Sequence, residues 1–402
     1  MISIVKNKDL FLETLIIPLV QGEILESDIV KLAEELQLPK TLLTEQIKAE
    51  KKEVSLFYPV AHKSVTRVYC LGLGTNPTLK MVIDAFKRFL QMEAAKLPSN
   101  LSIDISNGNF DPEFISLLTE GIVSGLLLGT YKKGLYQTSN LSTDKWDSEP
   151  LNLQFFVDEK FEDIVKIAAD KGRAIAETQL KILRLVNSPS NKLTPINFAQ
   201  EAVISGKEFG YKVEVHDEKA IEKLGLYALK AVGQGSDTPA RFIVMEYKPK
   251  ATGSQLPTVG LVGKGVTFDT GGLSIKGSSN MHYMKSDMGG AAAVFGTMEL
   301  IAKLKLPVHL VAIIPTTENC VDAKALKPGD VIGSYAEKTI EIIDTDAEGR
   351  LILADGIAYL NKNYSPDIMI DVATLTGSCV QTLGYEAGGL FTNNDDLALK
   401  LT

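Results

Sequence analysis

Apolar positions in the first 157 residues fall into two alternating periods. The runs Thr14–Val20, Thr66–Leu73, Leu101–Ile105 and Asn152–Val157 are short, apolar and rich in β-branched residues, as buried strands are. Between them, Ser27–Leu36 and Leu79–Leu97 carry apolar residues at helical spacing. Strands alternating with helices predict a mostly parallel sheet covered by helices. The polar stretch Ser139–Pro150, which holds Trp146, predicts a surface excursion.

From Phe161 to Val186 the charges fall on one helical face and Ile, Ala and Leu on the other, and Pro189 pushes the residue before it out of helical geometry. Thr194 and Pro195 then read as the N-cap and first turn of the next helix. Beyond it the strand runs are Arg241–Tyr247, Thr258–Val262, His309–Ile314, Thr339–Ile343 and Asp367–Val372, with helices around Ala291–Leu304 and Leu351–Asn361. The expected architecture is α/β with two domains, each a mostly parallel sheet flanked by helices: an N-terminal domain over 1–158, a linker helix over 159–190 and a catalytic domain over 191–402. Asp396–Thr402 stops in mid-helix by its pattern, which reads as a truncated end.

Composition narrows the function classes. The 402 residues carry 42 basic and 50 acidic side chains, a formal charge of -8, which argues against sequence-independent nucleic-acid binding. Cys70, Cys320 and Cys379 lie too far apart for a disulfide framework or a CxxC metal site, in keeping with a reducing compartment. The N-terminus has early acids and no apolar core of a signal peptide, and the most apolar stretch, Ile122–Leu128, falls short of the ~20 residues a membrane span needs. A cytoplasmic location is expected, with no membrane partner.

Charge in apolar surroundings then singles out three segments. Lys264, Asp269 and Lys276 lie in a glycine-rich run that follows a buried strand, where open α/β sheets place their ligands. Asp287 precedes a Gly-Gly-Ala-Ala-Ala helix start, so an N-cap role is the plain alternative for it. Asp344, Asp346, Glu348, Arg350 and Asp355 follow a strand and enter a helix, and Asp346 and Glu348 alternate so that both can face one side of an extended loop. Asp269, Asp287, Asp346 and Glu348 together would repel one another and partly protonate without counter-charge. Two divalent cations resolve that conflict, and carboxylate-rich coordination suits magnesium, manganese or zinc. A histidine-based zinc site of the HExxH kind is absent, and no GxxxxGK[ST] phosphate cradle is present.

In this order and spacing, GKGVTFDTGG, SIK, MKSDMGGAAA and TDAEGRLILADG closely resemble the leucyl (cytosol) aminopeptidase family of dinuclear metallopeptidases. LVNSPSNKLTP resembles the segment joining that family's two domains, and DVATLTGS the strand and loop lining its active site. The likeness is close over about residues 180 to 395 and extends to the N-terminal domain in layout, and relative to the family the chain reads as C-terminally truncated. Asp344 stands where the family usually has Asn.

The resemblance implies that Asp269 and Glu348 bridge two metals, that Lys264 and Asp287 complete the tighter site, and that Asp346 completes the more exchangeable one. Lys276 and Arg350 are implied as the catalytic side chains, with a bicarbonate held at Arg350. Met284, Thr374, Leu375 and Gly377 match positions lining the pocket for the substrate's N-terminal side chain. Manganese or zinc, with magnesium an option at the exchangeable site, and a homohexamer are implied in the same way. The expected activity is removal of leucine and other apolar residues from peptides with a free N-terminus. The alternatives are a dipeptidase of the Cys-Gly type and a non-catalytic, DNA-binding role, the latter without any basic, aromatic-interleaved stretch to support it.

Overall fold

Successive side chains of a strand point to opposite faces of its sheet, and in the first half of the chain both faces are apolar. In a computed structural model of the protein, which describes every residue except 7–11, 23–24, 60–63, 107, 109, 133–135, 137–145, 147–148 and 250–255, this produces a doubly covered sheet. Its strands are β1 (Ile2–Val5), β2 (Thr14–Leu19), β3 (Val54–Phe57), β4 (Arg67–Gly72), β5 (Asn100–Asp104) and β6 (Asn152–Phe156), in the order β1-β6-β5-β2-β4-β3. Every pairing is parallel except β3 with β4. Leu15, Ile17, Leu19, Val68 and Cys70 share one core with helices α1 (Leu25–Leu36) and α2 (Lys40–Gln46). Ile16, Tyr69 and Leu71 face the other, built with α3 (Leu79–Glu93) and α4 (Pro112–Gly129).

By length and composition α4 could cross a membrane, but 67% of it is buried inside the protein, where it packs on α3 as a core helix. Trp146 is also buried in this core, at 9% exposure, so the expected surface excursion is corrected there: its indole completes the apolar layer beside Leu151 and Leu153. Most of Ser139–Pro150 lies outside the described residues. The strands β1 and β3 were not marked by the apolar pattern, because each is only four residues long and partly exposed.

The chain divides into two compact units after Leu183, inside helix α5 (Glu162–Asn187). The first part of α5 packs in the first unit: Val165 and Ala169 join its core, and Gly172 accepts a hydrogen bond from Ser124.

The second unit holds a mixed sheet in the order β14-β9-β11-β8-β7, with β10 also on β11. Its strands are β7 (Lys212–His216), β8 (Arg241–Tyr247), β9 (Thr258–Gly263), β10 (Gly265–Asp269), β11 (His309–Asn319) and β14 (Ile368–Val372). The pairings β14–β9, β9–β11 and β10–β11 are parallel. Helices α6 (Pro195–Phe209) and α9 (Gly289–Leu304) meet through Phe198 and Phe295, whose rings lie 5.9 Å apart edge to face. Residues of α8 (Tyr227–Gly233) and α10 (Glu348–Tyr364) join Phe242, Val262 and Ile313 in a second apolar layer; α7 (Glu218–Leu224) precedes α8.

The expected strand Thr339–Ile343 shrinks to β13 (Ile340–Glu341), paired outside the main sheet with β12 (Val331–Ile332). Only Ile342 of that run is fully buried, too little apolar surface for a central strand. Helices α11 (Gly377–Leu383) and α12 (Asp395–Leu401) end the chain with no buried residue.

Candidate metal centre

The three charged segments converge at the carboxyl ends of the parallel strands in the second unit. Lys264 sits at the joint between β9 and β10, and its backbone N–H donates to Val372 at the end of β14. Asp269 ends β10, and Gly271 follows in the left-handed region at φ 86, turning the chain so that its N–H donates to Asp269 Oδ1 at 2.8 Å. Asp287 follows a short 3₁₀ turn, Met281–Ser286, and is not the N-cap of α9: that place is taken by Met288, without a side-chain cap. Asp346 lies in a 3₁₀ turn, Thr345–Ala347, and Glu348 is the first residue of α10, so a tight turn rather than an extended loop brings them together.

Oxygens of Asp269, Asp346 and Glu348 lie within 4.8 Å of one another, close enough to hold one cation. Two lysines are threaded among these acids. Lys276 Nζ is 2.8 Å from Asp269 Oδ2 and also pairs with Asp346. Lys264 Nζ is 2.8 Å from both Asp287 Oδ2 and Glu348 Oε1. Lys264 also donates to the carbonyl of Thr374 at 2.9 Å, so one ammonium is shared between Asp287 Oδ2, Glu348 Oε1 and this carbonyl, while the buried Glu348 Oε2 has no hydrogen-bonding partner among the described residues. One ammonium spread over two buried carboxylates leaves lone pairs unfilled, which is costly, and metal cations satisfy them. Metal ions therefore fit this donor set.

The electrostatics agree. Burial pushes the Glu348 carboxyl up to about 7 and that of Asp287 up to about 6, with Lys264 pulling both the other way. Burial alone would lower the Lys264 ammonium, but Asp287 and Glu348 outweigh it and raise it. The neutral amine that metal ligation requires is thus opposed by the carboxylates and calls for the charge of the metals themselves. Space for this lysine comes from Gly349, where a Cβ would lie 2.7 Å from its Cε.

The remaining expected residues separate. Thr374 donates to Asp287 Oδ1 at 2.7 Å, so it positions a candidate ligand as well as bordering the site. Met284 is half-buried in the 3₁₀ turn, Leu375 is exposed at 43%, and Gly377 begins α11. Arg350 is exposed and makes no ion pair among the described residues. Asp344 caps the turn by accepting from the Asp346 N–H, which with Ser274 holds its carboxyl below the ordinary value. Asp355 serves the fold: it accepts from the N–H groups of Ala228, Leu229 and Tyr335, fixing the start of α8.

Sequence reasoning missed two residues. Asn319, at the end of β11, donates to Asp269 Oδ1 at 2.8 Å and to the Thr345 carbonyl at 3.1 Å. The Thr345 hydroxyl donates to Gly271 O and accepts from the Ser274 N–H, tying the first charged segment to the third. The available signal was a polar Thr-Glu-Asn ending an otherwise apolar strand.

The profile of the cytosol aminopeptidase family, catalytic domain, matches residues 182–402. The protein named "Probable cytosol aminopeptidase" of Chloroherpeton thalassium is 37% identical over 100% of this chain and 81% of its own length. Its namesake from Chlorobium luteolum is 40% identical over 88% of this chain and 72% of its own. Among solved structures, the bottromycin maturation enzyme BotP in complex with Mn superposes with a TM-score of 0.80 at 30% identity, covering 97% of this chain and 78% of that one.

Proposed function

The chain belongs to the cytosol aminopeptidase family of metal-dependent hydrolases, and from that premise we propose that it removes leucine and other apolar N-terminal residues from peptides at a two-metal centre. The observation that carries this reading is the convergence of Asp269, Asp346 and Glu348 oxygens within 4.8 Å of one another, with Asp287 joined to Glu348 through Lys264 and Glu348 Oε2 left without a hydrogen-bonding partner. Asp269 and Glu348 would hold both ions, Lys264 and Asp287 one, and Asp346 the other. When bound, the ions would supply a Lewis acid for the scissile carbonyl and lower the pKa of a water from 15.7 towards ~7.

The protein's own groups do the rest. Lys276 places a fixed positive charge where the oxyanion grows. The neutral α-amine of a free N-terminus would be a ligand for the exchangeable ion, which makes the enzyme an exopeptidase. The Asp287 N–H donates to the Met284 carbonyl, and Leu375 follows Thr374. Met284 and Leu375 are thus chain neighbours of the Asp287–Thr374 pair, and their apolar character supports an apolar N-terminal residue. Manganese or zinc as the native pair, the cytoplasmic location and the homohexamer belong to the same proposal.

Chelation is expected to abolish hydrolysis of leucine p-nitroanilide, and manganese or zinc to restore it with two ions bound per chain. Full activity in a chain shown by elemental analysis to be metal-free would refute the proposal.

Arg350 completes it: its guanidinium would hold a bicarbonate, which would supply a base for the water's proton. It is the third residue of α10, where the helix dipole disfavours a cation, and among the described residues no carboxylate forms an ion pair with it, Asp344 acting on it only at longer range. An exposed planar guanidinium suits a bidentate anion. Arg350→Ala is expected to keep fold and metal content while slowing kcat by about 10²-fold, a loss of the size seen when one charge-stabilising donor is removed. Added bicarbonate should accelerate the wild type and partly rescue the variant. Unchanged turnover, or metal loss, would count against the role.

A further inference from the structure

The sheet of the first unit reverses its winding between β2 and β5: from β2 the chain reaches β4 on one side, then crosses to β5 on the other. At such a switch point a crevice opens outside the carboxyl ends of the strands, where open α/β sheets bind ligands. The opening is pronounced, because β2 pairs with β5 only at Leu15–Ser102 and Ile16–Ile103, while its pairing with β4 runs from Thr14 to Leu19. Pro18 has no N–H with which to extend a ladder.

A cavity of about 560 Å³ occupies this crevice. Gln21 lines it after β2, Asn76 after β4, Phe110 and Phe114 after β5, and Asp28 from α1. Volume, mostly apolar walls and a few converging polar groups are what small-molecule sites share. Asp28 is 5% exposed, and its Oδ1 has no hydrogen-bonding partner. Burial pushes its carboxyl up to about 6, against a weaker pull from Lys31. The rings of Phe110 and Phe114 lie 4.8 Å apart as an aromatic wall. That wall needs Gly108, where a Cβ would come within 2.1 Å of the Phe110 ring.

We infer that this cavity binds a compact apolar molecule carrying an amino group, which donates to the Asp28 carboxylate while its body lies on Phe110 and Phe114. Asp28 lines the cavity and forms no ion pair among the described residues, and an amino group supplies the donor its carboxylate lacks. An ammonium would in addition neutralise the carboxylate and lie against the aromatic faces. Asp28 is the sole ionisable side chain among the described lining residues, so phosphates and carboxylates find no counter-charge. Protonated amines and neutral amino-substituted rings share the required chemistry. The site lies wholly within the first unit and does not depend on the metal centre.

Isothermal calorimetry on the full chain, with phenethylamine for the ammonium and adenosine for the neutral ring, tests this. At least one probe is expected to bind with Kd below about 1 mM. Asp28→Asn, which removes the charge and keeps an acceptor, should weaken phenethylamine at least tenfold and adenosine only a few-fold. Gln21→Trp, which fills the mouth from the rim, should abolish binding of either, and it decides the matter if Asp28→Asn does not fold. Failure of both probes to bind, or binding indifferent to Gln21→Trp, overturns the inference.

Discussion

Asp269→Ala is expected to eliminate turnover and to leave at most one metal per chain. Asp269 is 2% exposed, and every donor around it has a fixed origin. Oδ1 takes the Gly271 N–H and Asn319 Nδ2, and Oδ2 faces Lys276 Nζ, each at 2.8 Å. Its remaining lone pairs lie beside Asp346 and Glu348, so truncation removes the one carboxylate held on three sides and offered to the cluster on the fourth. The loss should exceed about 10³-fold, more than removal of a single oxyanion donor costs. The fold is expected to survive. Four carboxylates, Asp269, Asp287, Asp346 and Glu348, face two lysines, Lys264 and Lys276, and removing one acid relieves repulsion among the rest. Elemental analysis and thermal melting of the metal-free protein check both halves. Two bound metals in this variant would show that Asp269 does not bridge them.

The candidate centre was largely legible because its chemistry is anomalous in sequence. Charged residues in apolar, glycine-rich runs stand out, and Lys264, Asp269, Lys276, Asp287, Asp346 and Glu348 do converge. What holds them was not legible. Asn319 and Thr345 are ordinary polar residues until β11 and the turn before α10 are brought together, and their roles exist only as tertiary hydrogen bonds. The strand β10 was hidden because Gly263, Gly265, Gly271 and Gly272 read as loop, although parallel pairing to β11, with a bulge between Val266 and Phe268, carries the chain on to Asp269. Conversely, Thr339–Ile343 looked like a core strand because propensity is local, whereas membership of a sheet depends on a partner, and only Ile340–Glu341 pairs, with β12. Trp146 erred in the other direction. A polar neighbourhood outweighed the one residue that supplies the burial.

Lys276→Ala is expected to separate turnover from metal binding. Burial opposes the Lys276 charge, but hydrogen bonds to Asp269 and Asp346 outweigh it and raise the ammonium well above the ordinary lysine value. It therefore remains a fixed positive charge at neutral pH. Its backbone N–H donates to the Thr270 carbonyl, which ties its position to the turn that carries Asp269. In the protein without substrate this ammonium competes with metals for the same carboxylates. Removing it should leave metal affinity unchanged or higher, since Asp269 and Asp346 lose their counter-charge. Its catalytic contribution arises only as negative charge develops on the carbonyl oxygen, so kcat should fall by roughly 10² to 10³-fold with little change in KM. Lys276→Arg should not restore the rate, because a planar fork replaces a compact point charge on a shorter reach to two carboxylates. Metal stoichiometry and steady-state kinetics on the same preparations distinguish the roles. Bound metal falling in step with kcat would make Lys276 a support for the acidic cluster rather than a partner of the transition state.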